Sequence, residues 1–277
     1  MLRVISVLLL FASGVRASDA TKPHPHRGVM PKYERVHPSK LGISTSGHKD
    51  EDLRTGKPVL KILPVAKGFT RTVSMQDIRA PEAVIWSAIM DLPNYPKYIE
   101  GVTACEVYAK SSGKFKGLET VCSKYTLSVA AYKMSYFILH EFEPAKHSMT
   151  FHLDYDRCSD LQDTVGYWYV EELDDGWCRV YYSTDSVVPG WIPGFAKTAM
   201  RNLAAKRSTS WVEARCAELT GTGVGSAKRA GGPLTITRRR MALLALLGWS
   251  LHASGRLASF SLPQLPCLLP KQDPAVA

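Results

Sequence analysis

The sequence predicts an α+β domain in which a curved antiparallel sheet of about seven strands wraps a long C-terminal helix, with two short helices after the first strand. Three observations predict it. Residues 81–98 carry a helical pattern that runs into a proline-punctuated turn, residues 102–187 alternate in short segments separated by turn signals, and residues 195–219 return to helical spacing. With 277 residues, 45% of them hydrophobic, the chain can bury a full core.

Each element follows from local chemistry. Phe69, Val73 and Met75 suggest a first strand through Asp77. Ala80 precedes a proline and is pushed out of the helical region, whereas Pro81 suits a first helical position. Val84, Ile85, Ala88, Ile89 and Leu92 then recur at helical spacing until Pro93 and Pro96 end the run. Six strands are expected near 102–110, 118–128, 132–142, 147–156, 163–173 and 177–187. The exit is marked by Pro189-Gly190-Trp191-Ile192-Pro193-Gly194, after which Ala196, Ala199, Met200, Leu203, Trp211 and Ala214 fall largely on one stripe of a helix over 195–219.

Register follows from the turns. A turn on Ala130-Ala131 sets Tyr125 against Tyr136 and Leu127 against Met134, and one on Pro144-Ala145 sets Tyr136 against Leu153, Ile138 against Phe151 and Met134 against Tyr155. Two independent turns thus nominate one continuous apolar face, which must meet a helix or a ligand. The opposite face, with Lys124, Lys133, Ser135, Glu141, His152, Asp154 and Asp156, suits water. An Asp175-Gly176 turn pairs Val170 with Tyr181 and favours Trp168 and Tyr181 on the inward side.

That face assignment weighs the chemical motifs. His152-x-Asp154-x-Asp156 has metal-like residue types on one strand face, but the face points away from the interior, so no metal site is expected. His140 lies on the apolar face, where it is either a structural histidine or a general base. No paired carboxylates face inward, and no cofactor is expected. Cys105 and Cys122 oppose one another if the intervening hairpin centres on Gly113-Lys114, as a bridge or as two buried thiols.

The net charge of +10 divides into +6 over residues 1–66, −2 over 67–220 and +6 over 221–277. The basic character therefore belongs to the flanks, which argues against nucleic-acid binding by the folded middle. Residues 1–17 have a signal-peptide pattern: Arg3, the apolar run Val4 to Ala12, and small residues up to Val15-Arg16-Ala17. This predicts a secretory or extracellular protein, with plastid or mitochondrial targeting as the alternative. Residues 18–66, rich in Pro, His, Lys and Arg, read as a disordered basic leader. Residues 221–277 read as a basic, partly apolar and disordered tail. Its run Met241 to Leu251 follows Arg238-Arg239-Arg240 and falls short of the about 20 residues a spanning helix needs.

The Pro81-to-Val84 helix start, with Asp91-Leu92-Pro93-Asn94-Tyr95-Pro96 behind it, resembles the opening of START-like, Bet v 1-type (SRPBCC) domains. Within them it is most similar to the coenzyme Q-binding and polyketide cyclase/dehydrase branch. The resemblance covers roughly residues 67–219, the whole predicted domain (67–220), and implies a helix-grip fold holding a hydrophobic small molecule such as a lipid, prenylquinone or sterol. Trp86, Tyr125, Met134, Tyr136, Ile138 and Phe151 are expected to line the cavity, together with Leu153, Trp168, Tyr181, Phe195 and Met200, with Tyr98 at its rim. Two functions follow: non-enzymatic binding or transfer of that ligand, by a monomer touching membranes through its basic flanks, or cyclase/dehydratase chemistry using His140 or a pocket tyrosine.

Overall fold

The computed structural model describes residues 18–64, 70–112, 117–129, 131–206 and 208–221. Residues 1–17, where a signal peptide is expected, Phe69, the Gly113-Lys114 turn and residues 222–277 lie outside the described residues.

The leader is folded. A 3₁₀ turn at Pro38–Leu41 and a short helix α1 (Asp50–Leu53) lead into strand β1 (Val59–Pro64), which pairs antiparallel with β2 (Thr70–Ile78). Helix α2 (Glu82–Ile89), a 3₁₀ turn (Leu92–Asn94) and helix α3 (Tyr95–Tyr98) follow. Then come β3 (Val102–Ser112), β4 (Glu119–Val129), β5 (Tyr132–Glu143), β6 (Ser148–Leu153), β7 (Asp163–Glu172) and β8 (Cys178–Val187). They form one antiparallel sheet in the order β1-β2-β8-β7-β6-β5-β4-β3, against which lie α4 (Gly194–Lys206) and α5 (Ser210–Thr220). This is the expected helix-grip arrangement, with an eighth strand supplied by the leader. Among the described residues, no helix is long and apolar enough to cross a membrane.

The leader is ordered because it covers the outer face of the sheet. Met30, Tyr33, Ile43 and Leu53 form a core with Val73, Met75, Val165, Tyr167, Tyr169 and Tyr181. Tyr33 stacks on Tyr167 at 5.4 Å, and the Arg71 guanidinium lies 3.6 Å over the Tyr33 ring. Polar links fix the strap: Tyr167 donates to the Val36 carbonyl (2.6 Å), and the buried Asp163 carboxylate accepts from the backbone of Val29 (2.6 Å) and Met30 (3.0 Å). Arg179 grips Asp77 through two hydrogen bonds (2.7 and 2.9 Å) and reaches Asp50 at the start of α1 (2.6 Å). The outer face is therefore not simply solvated. Arg35 bonds Glu141, Glu143 and Thr150, so part of the leader's positive charge is neutralised inside the fold.

Three further expectations are corrected. The Ala131 turn gives the expected register, Tyr125 opposite Tyr136 and Leu127 opposite Met134. The next hairpin turns through Pro144–Lys146, with His147 left-handed (φ 51°), so Ile138 meets Leu153 and His140 meets Phe151, a shift of two residues that keeps the faces. Between β7 and β8 the loop is longer than a two-residue turn, with Asp175 and Gly176 both at positive φ (60° and 75°). Tyr181 therefore pairs with Tyr169, a shift of one that sends it to the outer core and turns Tyr182 inward. The C-terminal helix is two helices. Ser208 bonds the Ser74 hydroxyl (2.5 Å) and Thr209 bonds Gln76 (2.9 Å), so hydroxyls at the break serve the sheet.

Leu53 is fully buried in the outer core. Leu53→Ala is expected to lower the unfolding free energy by about 2–4 kcal/mol in urea denaturation, whereas a leader that does not pack would leave it unchanged.

Candidate functional site

Between the inner face of the sheet and the helices lies a cavity of ≈ 840 Å³. Its apolar walls come from alternate residues of consecutive strands: Tyr125 and Leu127 on β4, Met134, Tyr136 and Ile138 on β5, Phe151 on β6, Trp168 on β7 and Tyr182 on β8. Tyr95 of α3 and Ile99 just after it close one end, and Met200 of α4 and Trp211 of α5 form the helical side. The period of two in the strands puts all these side chains on one face.

One glycine shapes the wall. Phe151 lies opposite Gly166, and a Cβ on that glycine would stand 1.8 Å from the Phe151 ring. Only glycine lets the ring lie flat across β7.

The polar end of the cavity is built around His140, which is buried at 3% exposure. Its Nδ1–H donates to the Val121 carbonyl (3.0 Å), which leaves Nε2 as an acceptor facing the Tyr125 hydroxyl at 3.3 Å. Tyr125 stacks on Tyr136 with ring centroids 5.3 Å apart. Burial lowers the His140 pKa to about 4 and raises the Tyr95, Tyr125 and Tyr136 hydroxyls above their ordinary value. The His140 end of the cavity thus presents neutral hydrogen-bonding groups in an apolar wall, while Glu100 and Lys197 bring charge to other parts of the lining. Asp185, which touches the cavity margin, belongs to the outer face: it accepts from Tyr33, lies 3.7 Å from Arg71, and is pushed up to about 6 by burial.

The structure brings together Tyr125, Met134, Tyr136, Ile138, Phe151 and Trp168, as strand alternation requires, with Met200 from α4. Five expected residues fall elsewhere. Leu153 is buried in the core behind the wall. Trp86 packs on Phe142 at 4.4 Å and donates to Glu82 (2.8 Å), because α2 turns it towards the sheet end. Tyr98 stacks behind Trp211 and donates to Glu218 (2.5 Å). Tyr181 lies on the outer face, and Phe195 is 66% exposed beside Tyr132 at the start of α4. Tyr95, Tyr182 and Trp211 line the cavity without having been expected there. Helical spacing marked Trp211 as apolar, and a one-residue shift in the β7–β8 register would have found Tyr182.

His152, Asp154 and Asp156 do not converge. Asp154 accepts from Tyr108 (2.6 Å), Asp156 pairs with Arg27 (2.6 Å), and His152 stacks on Tyr155. Among the described residues, no group of three His, Cys, Asp or Glu side chains is placed to hold a metal ion. Cys105 pairs in register with Tyr125 and Cys122 with Ala109, because irregularities in β3 shift the ladder, and both are free thiols.

The folded state disfavours protonated His140, and the unfolded chain takes up that proton near the ordinary value of 6.5. Its stability contribution is therefore full above pH 6.5 and is lost as the pH falls towards 4, by an amount of order 3 kcal/mol. His24 and His152, also lowered by burial, add loss of the same sign. Denaturant unfolding at pH 7 and pH 4 should show this loss, and His140→Gln should make the slope shallower.

No curated protein sequence matches the chain significantly. Similar solved structures include TTHA0849 from Thermus thermophilus, 16% identical over 53% of this chain and 97% of that one, with a TM-score of 0.45. The Zhui aromatase/cyclase from a Streptomyces species is 16% identical over 58% and 98%, with a TM-score of 0.44. Human STARD10 is 9% identical over 65% and 84%, with a TM-score of 0.43. The family model described as polyketide cyclase / dehydrase and lipid transport matches residues 69–215, more than half of the chain, and the chain belongs to that family.

Proposed function

We propose that the protein is a non-enzymatic carrier that binds one apolar molecule, such as a lipid, prenylquinone or sterol, between the sheet and its C-terminal helices. The observation that carries this reading is the ≈ 840 Å³ cavity walled by aromatic and aliphatic side chains. Its size falls in the range of small-molecule sites, and a packed core leaves few voids larger than a water. The ligand's body lies against Met134, Ile138, Phe151, Trp168 and Met200. A single hydroxyl or carbonyl meets the Tyr125 and His140 end.

The polar end supplies the second reading, a cyclase or dehydratase with His140 as base. His140 lines the cavity, and its Nε2 is an acceptor facing the Tyr125 hydroxyl. An imidazolium formed there is strongly disfavoured by burial, which already lowers the pKa to about 4. A base that weak suits a hydrogen-bond acceptor better than a proton carrier at neutral pH.

Delivery needs an entrance, and the exposed apolar side chains Trp191 and Phe195 stand with Tyr132 where α4 begins. This edge is the part of the carrier that meets a membrane surface, acting as a monomer.

Delipidated protein mixed with a prenylquinone, a sterol and a long-chain fatty acid should take up at least one of them at a 1:1 ratio by native mass spectrometry. Uptake should quench Trp168 and Trp211 fluorescence. Ile138→Trp fills the cavity and should weaken uptake at least tenfold, about 1.4 kcal/mol, with the fold intact by circular dichroism. Absence of uptake of all three, or unchanged uptake by Ile138→Trp, contradicts the carrier reading. Turnover of a poly-β-ketone that is lost in His140→Gln favours the enzyme.

A further inference from the structure

The first described residues are pinned to the sheet. Asp19 and Cys158 exchange both backbone hydrogen bonds, each 2.9 Å, and His24 donates to the Tyr155 carbonyl (2.9 Å). The Asp19 carboxylate accepts from the Thr21 backbone and hydroxyl (2.9 and 2.7 Å) and pairs with Lys22 (3.0 Å), which holds its pKa at about 2. It is thereby engaged within its own turn.

This bridge holds the preceding residue, Ser18, beside Asp160. One carboxylate oxygen of Asp160, Oδ2, accepts from the Ser135 backbone at 2.6 Å. The other, Oδ1, is buried without a hydrogen-bond partner. The Ser18 backbone acts on this same carboxylate, as does Lys124, while burial raises its pKa. A buried carboxylate oxygen lacking a donor is costly, and a peptide N–H brings only a partial charge. An ammonium group on Ser18 would bring three donors and a full charge to the same place.

The sequence has a cleavage pattern at that bond. An apolar run from Val4 to Ala12 is followed by Val15-Arg16-Ala17, which ends in the small residue such a site requires. We propose that the Ala17–Ser18 bond is a processing site, and that the Ser18 ammonium it releases pairs with Asp160 and locks the mature N-terminus onto the sheet. An endoprotease of the signal-peptidase class breaks the C–N bond with one water, leaving a carboxylate on Ala17 and an amine on Ser18 that takes up a proton. The chain is therefore a secretory-pathway protein whose outer strap is completed by cleavage.

Two measurements test this. The full-length chain is produced in a secreting eukaryotic cell and the mature product sequenced from its N-terminus; Ser18 is the expected first residue, and any other start overturns the processing site. The mature chain with a free Ser18 amine is then compared with the same chain acetylated at that amine. The free form should melt about 2–4 °C higher at pH 7, and Asp160→Asn should abolish the difference. The advantage should also fade as the pH rises above about 8, where the amine loses its proton. Equal melting temperatures, or a difference that survives Asp160→Asn, overturn the ion pair.

Discussion

The inner face of the sheet presents more apolar surface than the C-terminal helices cover, and that mismatch governs the rest of the structure. Strand alternation commits Tyr125, Met134, Ile138, Phe151, Trp168 and Tyr182 to one side. Trp211 and Met200 reach this surface from the helices, yet ≈ 840 Å³ stays between them. Large side chains line the gap without filling it, and Gly166 removes the one Cβ that would lift Phe151 off the wall. An apolar surface held in this way favours an apolar occupant over water.

Keeping a sheet open on its inner side places a demand on its outer side. Tyr167, Tyr169, Tyr181, Val73 and Met75 would be a large exposed apolar patch on the bare domain. The leader buries it with four apolar side chains, a tyrosine ring that takes the Arg71 guanidinium of β2 on its face, and backbone hydrogen bonds to the buried Asp163. The Arg179–Asp77 pair, further joined to Asp50, ties that strap to the strands beneath. The family match begins at residue 69, so this covering belongs to the chain outside the family's own span.

The sequence made the domain legible where the signal was local. The seven strands from β2 to β8, the proline-bounded α2 and the β4–β5 register follow from alternation and turn chemistry, and so does most of the cavity wall. What escaped was nonlocal or depended on turn length. The leader has no period of its own, because Met30, Tyr33, Ile43 and Leu53 are buried one at a time in a core shared with the outer face of the strands. Two extra turn conformations, at His147 and at Asp175-Gly176, moved the registers, and only the one-residue shift changed a face. The helix break at Ser208 arises from hydroxyl bonds to Ser74 and Gln76, which no helical pattern can show.

The most direct test of the container account is where a bound apolar molecule touches the protein. Nuclear Overhauser contacts from a bound prenylquinone or sterol should reach the methyl groups of Met134, Ile138 and Met200 and the ring of Phe151. None should reach Trp86 or Tyr181, which lie behind the wall and on the outer face. Contacts confined to the outer face, or ligand signals that touch no residue of the inner wall, would contradict the account.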